Sequence, residues 1–143
     1  MPQGTLQSYL DSLLAAAALV KSTTIDLNQI AGTYDLFVGT SQSVLLMSLV
    51  IRMTNGAVAG AVTGITIQTN DNTPQVIIPA SLGLVVNLTD QAQLAWHEAD
   101  GGPVLIAVGK KIQLTIVGGA AGVARVCEVV ATYRVEVAGG SLA

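Results

Sequence analysis

Two hydrophobic periods divide the chain. From Thr5 to Val20 the apolar residues recur at helical spacing, with Leu6, Leu10, Leu13, Leu14 and Ala17 forming one stripe. Gln7, Ser8, Asp11 and Ser12 fall on the opposite side of the first turns, and Ala15, Ala16 and Ala18 continue that side as a surface that admits a second backbone. Thr5 is placed to cap the segment, because its hydroxyl can accept from the first free backbone N–H groups. The spacing predicts one amphipathic helix that stops at Ser22-Thr23-Thr24, where β-branched and hydroxyl residues favour extension.

From Lys21 onward the period is two. Thr23, Ile25 and Leu27 alternate with Thr24 and Asp26; Leu49, Ile51 and Met53 with Ser48, Arg52 and Thr54; Ile65 and Ile67 with Thr66 and Gln68. The clearest case sets Ile112, Leu114 and Ile116 against Lys111, Gln113 and Thr115. The last run puts Cys127, Val129, Ala131, Tyr133, Val135 and Val137 on one face, with Glu128, Thr132, Arg134 and Glu136 on the other. Such alternation marks strands with one face on a core. Turn residues separate the runs at Ala31-Gly32, Asn55-Gly56, Asn70-Asp71-Asn72-Thr73-Pro74, Asp100-Gly101-Gly102-Pro103 and Gly118-Gly119. Eight or nine short strands at this spacing predict an all-β, antiparallel β-sandwich or jelly roll over residues 21–138. The helical arm over 1–20 precedes it, and a small, fraying tail over 139–143 follows. Pro79–Ala92 fits either a helical turn or a loop, and no repeat or linker divides the sandwich.

Composition changes what the outside of such a sandwich must be. Of 143 residues, 51% are hydrophobic and only 10% charged, against a usual charged share of about 25%. A chain so poor in charge is expected to hide much of its surface against neighbours, and self-association follows, a trimer being favoured. The net charge of −3 and the single adjacent basic pair Lys110–Lys111 argue against nucleic acid. Apolar runs are strand-sized, far short of the ~20 residues of a membrane span. Leu13–Val20 has the apolar character of a signal-peptide core, but no Lys or Arg precedes it and Asp11 stands where a basic region would end.

Candidate chemistry is sparse. With one His, any Ser–His–Asp arrangement must use His97, which sits in Trp96-His97-Glu98 without a nucleophile-elbow pattern. The second His of a zinc-protease helix is missing, so the segment reads as a strand ending in a polar hairpin. Gly118-Gly119-Ala120-Ala121-Gly122 follows a strand, as a phosphate loop would, but the alternation of Val126–Val137 removes the helix N-terminus such a loop needs; a hairpin loop is expected. Asn70-Asp71-Asn72 lacks the spaced acidic set of a calcium loop and reads as a turn. Asn87-Leu88-Thr89 is a formal glycosylation sequon, meaningful only on secretion. Cys127 lies on an apolar strand face and is expected to be buried and inert. No catalytic residue, metal ligand or cofactor is assigned, and a non-enzymatic role is expected.

Several phrases carry a resemblance. They are Thr24-Ile25-Asp26-Leu27 with Gly32-Thr33-Tyr34-Asp35-Leu36, Ser48-Leu49-Val50-Ile51, and Thr66-Ile67-Gln68-Thr69-Asn70-Asp71 with Thr73-Pro74. Asn87-Leu88-Thr89, Gly109-Lys110-Lys111-Ile112-Gln113-Leu114-Thr115-Ile116 and Thr132-Tyr133-Arg134 complete the set. Over about residues 21–135 the chain resembles small structural proteins of tailed-bacteriophage virions, of the capsid decoration, cement or head-fibre type. The resemblance implies a place on the virion after assembly in the host cytoplasm, the major capsid protein or another virion protein as partner, and no catalytic residue. The N-terminal helix departs from it. Two other classes remain open: a receptor- or carbohydrate-binding module of a phage fibre, which would bring aromatic or calcium sites, and a bacterial surface adhesin domain, which would bring a signal peptide. The stripe Leu6, Leu10, Leu13, Leu14 and Ala17 is the candidate interface, because an isolated helix of this length is marginal in water and must dock. It either reaches a neighbouring chain or plugs one end of its own sandwich.

Overall fold

The computed structural model describes residues 18–135 and 139–143. The expected helix, with Leu6, Leu10, Leu13, Leu14 and Ala17, lies outside the described residues up to Ala17, as do Glu136 and Val137 of the last expected strand. Where description begins, the boundary shifts: Leu19 and Val20 belong to the first strand, not to a helix.

Ten strands form two antiparallel sheets among the described residues. They are β1 (Leu19–Asp26), β2 (Gly32–Thr40), β3 (Val44–Met53), β4 (Gly64–Thr69), β5 (Val76–Ile78), β6 (Gln93–His97), β7 (Val104–Ile106), β8 (Lys111–Val117), β9 (Val126–Val135) and β10 (Ser141–Leu142). One sheet runs β1-β9-β3-β6, with β7 also on β3; the other runs β10-β2-β8-β4-β5. The pairings are nested: β1 with β9, β2 with β8, β3 with β6 and β7, β4 with β5. A single long antiparallel ribbon rolled on itself gives this order, which is the jelly-roll plan.

Period-two alternation produces the core directly. Ile51 and Met53 of β3, Ile65 and Ile67 of β4, Ile112, Leu114 and Ile116 of β8, and Cys127, Val129 and Ala131 of β9 are all essentially inaccessible. Each inner face meets the other across a dry layer, as sheet-on-sheet packing requires. Bulges explain where strict alternation fails. One between Leu46 and Ser48 keeps Leu46 and Leu49 both buried at an odd spacing, and one between Asp35 and Phe37 accompanies the successive burial of Leu36 and Phe37.

Three expectations need correction. The strand holding Trp96 and His97 does not end in a hairpin. β6 runs beside Arg52–Ser48, the chain makes a single helical turn over Glu98–Gly101, and β7 continues in the same direction beside Leu46–Val44. The Asp-Gly-Gly-Pro signal therefore marks an excursion from one interrupted edge strand. Gly118–Gly122 is not a hairpin loop either, because β8 and β9 lie in different sheets; its glycines do take positive φ, 97° at Gly118 and 87° at Gly122. Finally, the tail does not fray. Ser141–Leu142 pairs with Gly39–Thr40, Leu142 is buried, and Ala143 exchanges two backbone hydrogen bonds with Val38 at 2.9 and 3.0 Å. A short apolar strand gains more from covering the β2 edge than a free end gains in chain entropy.

Pro79–Ala92 resolves as a turn and a short 3-10 segment, Val85–Asn87, closed on β4. Ile65 N donates to Gly83 O at 2.8 Å, and a Cβ at Gly83 would overlap the Ile65 carbonyl. Gly83→Ala is therefore expected to cost about 2 kcal/mol or more in a denaturant melt, since the clash is with backbone that cannot yield. Leu49→Ala is expected to cost about 2–5 kcal/mol, whereas Val123→Ala, half-exposed, should stay within about 0.5 kcal/mol.

Candidate interaction surface

The connections gather at two ends with different chemistry. Leu27–Ala31, Thr54–Thr63, Pro79–Ala92 and Gly118–Arg125 meet at one end, which we call the crown. They are tied by Leu27 N to Arg125 O at 2.9 Å, Ala121 N to Leu27 O at 3.1 Å, Val58 N to Leu88 O at 2.9 Å and Ala61 N to Ala120 O at 3.0 Å. At Gly60, φ is +71° and a Cβ would strike the Ala121 carbonyl, so glycine is what lets these two connections touch.

The crown carries two formal charges, Asp90 and Arg125. The Arg125 guanidinium donates to the chain itself, its Nε to Ala57 O and one terminal nitrogen to Ala124 O, each at 2.8 Å. Asp26, at the base, accepts from Asn28 N and Arg125 N at 2.9 Å each. Around these satisfied groups stand exposed apolar side chains: Ile30 at 80% exposure, Val86 at 71%, and Leu82, Leu84, Val117 and Val123 at lesser values. Large apolar side chains grouped on a surface with little charge are a general feature of protein contact sites.

The face of the second sheet is polar, and the opposite end mixes polar groups with the exposed Val76 and Val108. Lys111 Nζ lies 2.7 Å from Asp35 Oδ2, Gln113 Nε2 donates to Asp35 Oδ1 at 2.8 Å, and Thr33 and Thr115 hydroxyls lie 2.9 Å apart. Hydrogen bonds from Lys111 and Gln113 hold the Asp35 carboxyl below its ordinary value. Asp71, in the turn between β4 and β5, accepts from Thr69 Oγ1 at 2.7 Å and Gln75 Nε2 at 3.0 Å, and those bonds lower its pKa likewise. The turn expected at Asn70-Asp71-Asn72 is thus present, and its carboxylate is engaged by the chain's own donors.

The residues considered for chemistry are not brought together. His97 ends β6 on the sheet exterior, Cys127 is buried in the core, and Asp71 lies in the β4–β5 turn. No group of three or more His, Cys, Asp or Glu able to hold a metal occurs among the described residues. A shallow depression of about 80 Å³, lined by Thr63, Gly64, Ile65, Thr66, Ala80, Leu84 and Val117, is small beside the roughly 300–1,000 Å³ of typical small-molecule sites. No helix among the described residues is long and apolar enough to cross a membrane. The sequence reading missed the crown, although the signal was visible: four connections with two charges among them, and Ile, Leu and Val where turn chemistry would suffice.

These features define an all-β jelly roll with a loop crown that is poor in charge and carries several exposed apolar side chains. No protein-family model matches the sequence, and no curated protein matches it. In fold the chain is similar to a chain in the acid-stable capsid structure of the Helicobacter pylori bacteriophage KHP30, with a TM-score of 0.58 and 9% identity, covering 90% of this chain and 94% of that one. It is also similar to a chain in the capsid of Ralstonia phage GP4, with a TM-score of 0.51 and 13% identity, covering 87% and 88%. The likeness spans nearly the whole of each chain and is one of fold. It joins the resemblance to phage structural proteins carried by the sequence phrases.

Burial and the nearby Asp26 charge push the Cys127 thiol up to about 12, so alkylation at pH 8 is expected to fail in the native protein and go to completion after denaturation. Asp35 and Asp71 both have lowered folded pKa values. The stability they contribute is complete above the ordinary aspartate value of 3.8 and is lost as pH falls through their lower folded values. Asp71→Asn should therefore lower Tm near neutral pH and flatten the loss of Tm on acidification below about 4.

Proposed function

We propose that the chain is a structural protein of a phage particle, a decoration or cement protein that binds the shell by packing, without catalysis. The observation that carries this reading is the crown, with its exposed Ile30, Leu84, Val86 and Val123. Such a surface suits a partner that offers apolar contacts and shape, and it offers little to a charged ligand. The nearly full-length similarity in fold to chains of two phage capsid structures supports the same place for this chain. The major capsid protein is the proposed partner, the virion the proposed location, and self-association into trimers the proposed oligomeric state. A double-layered body with a closed core suits a shell, since exposed side chains of its connections are presented on a fixed base.

Placing a charge in the crown tests this. Val86→Asp lies on an exposed position and should leave Tm within about 2 °C of the parent. Binding to purified particles lacking the protein should drop by tenfold or more in a co-sedimentation assay. Thr115→Asp, on the polar face of the other sheet, should bind as the parent does. Equal binding by Val86→Asp and the parent would overturn the crown as the docking surface.

A further inference from the structure

At its crown end, the β2-β8-β4 sheet has a gap in its outer face. Gly64 of β4 pairs with Val117 of β8 on one side and bridges Leu84 on the other. Val117 and Leu84 are 46% and 47% exposed, and between them the glycine contributes no side chain. A Cβ at Gly64 would lie 2.8 Å from the Gly83 carbonyl oxygen, so the close approach of that connection keeps the position glycine and the gap open. Thr66 and Ala80 complete the lining of a notch of about 80 Å³. That is roughly half the 150 Å³ in which a benzene ring sits, so the notch suits one branched aliphatic side chain.

We infer that this notch is the socket for Ile30 of a second copy of the chain. Exposure, position and charge select that occupant. At 80%, Ile30 is the most exposed large apolar side chain among the described residues. Its connection is tied down, because the Tyr34 hydroxyl donates to Ile30 O at 2.6 Å, so the side chain is presented from a held backbone. The notch of its own chain is out of reach. Ile30 precedes Gly32, which pairs with Ile116, so β8 stands between Ile30 and Gly64. Two strand spacings amount to about 10 Å, more than one isoleucine spans. Neither Gln29-Ile30-Ala31 nor the notch lining carries a charge, so bringing them together desolvates no ion. Because the notch opens on the face of the sheet, copies standing side by side can each give one Ile30 and receive another. Knob and socket are different patches of one chain, and such a contact repeats until a ring closes. The inference rests on the proposed self-association and names its contact; the role on the particle is a separate matter.

The test uses the full chain, by sedimentation velocity and by thiol cross-linking. Ile30→Ser, which removes the knob, should raise the concentration at which the oligomer half-forms by tenfold or more. Ala80→Trp, which fills the socket from an exposed position, should do the same with Tm unchanged. Val108→Ser, exposed at the opposite end, should assemble as the parent does. Cys127 is buried and stays silent toward oxidation in the native protein. Under mild oxidation, Ile30→Cys mixed with Ala80→Cys should therefore give disulfide-linked pairs at least tenfold faster than Val108→Cys mixed with Ala80→Cys. Equal cross-linking rates, or parental assembly by both Ile30→Ser and Ala80→Trp, would overturn the inference. On particles, a disulfide from Ala80→Cys to the shell protein instead of to Ile30→Cys would assign the notch to the shell and overturn it too. A parent that stays monomeric yet binds particles would overturn this contact and leave the proposed function standing.

Discussion

The dry layer between the two sheets is the constraint on which the rest of the molecule depends. Ile51 and Met53 on one side and Ile65, Leu114 and Ile116 on the other are nearly inaccessible, and no side-chain polar atom is buried without a partner among the described residues. Thr69, the one buried polar residue among the described residues, donates to Asp71 and accepts from Gln75 N at 2.9 Å. At about 25 cal/mol for each Å² of apolar surface removed from water, this layer supplies the main force opposing chain entropy. Most of the core is filled by strands, with Leu27, Val58, Val62, Leu88 and Ala121 added by the connections, so it is the exposed side chains of those connections that are free to carry contact chemistry.

Edges show how the same body avoids uncontrolled pairing. β5 is short, and Ile65 N is taken by Gly83 O where β5 ends. The β6–β7 edge is broken by the turn Glu98–Gly101, and part of β2 is covered by β10. Short, interrupted or covered edges resist strand addition. β1 is the long edge without a strand partner on its outer side among the described residues, and it carries Lys21 in its exposed half. Association is thereby directed away from most edges.

Much of the fold is legible in the sequence for a physical reason. Where both sides of an alternation differ in polarity, as in Lys111–Val117 and Val126–Tyr133, the buried set follows from the period alone. Legibility fails where the deciding interaction is distant. The chain around His97 departs from its strand and returns to the same neighbour, which only the β3 partner reveals. Ser141–Leu142 has the composition of a loose end, yet Gly39–Thr40 and Val38 hold it. The glycines of 118–122 signal positive φ correctly, but whether a loop joins neighbours or crosses between sheets is set by topology. The crown is hard to read from sequence because its residues are far apart along the chain and meet only when the ribbon is rolled.

We propose that this jelly roll is a shell-bound building block that packs through its loop crown. Imaging of purified particles by single-particle electron microscopy, with copy number from quantitative mass spectrometry, tests it most directly. The account predicts many copies per particle on the shell exterior, with the connections at Ile30, Leu84, Val86 and Val123 turned toward the major capsid protein. Absence of the chain from purified particles, or a crown facing solvent while another surface meets the shell, would contradict it.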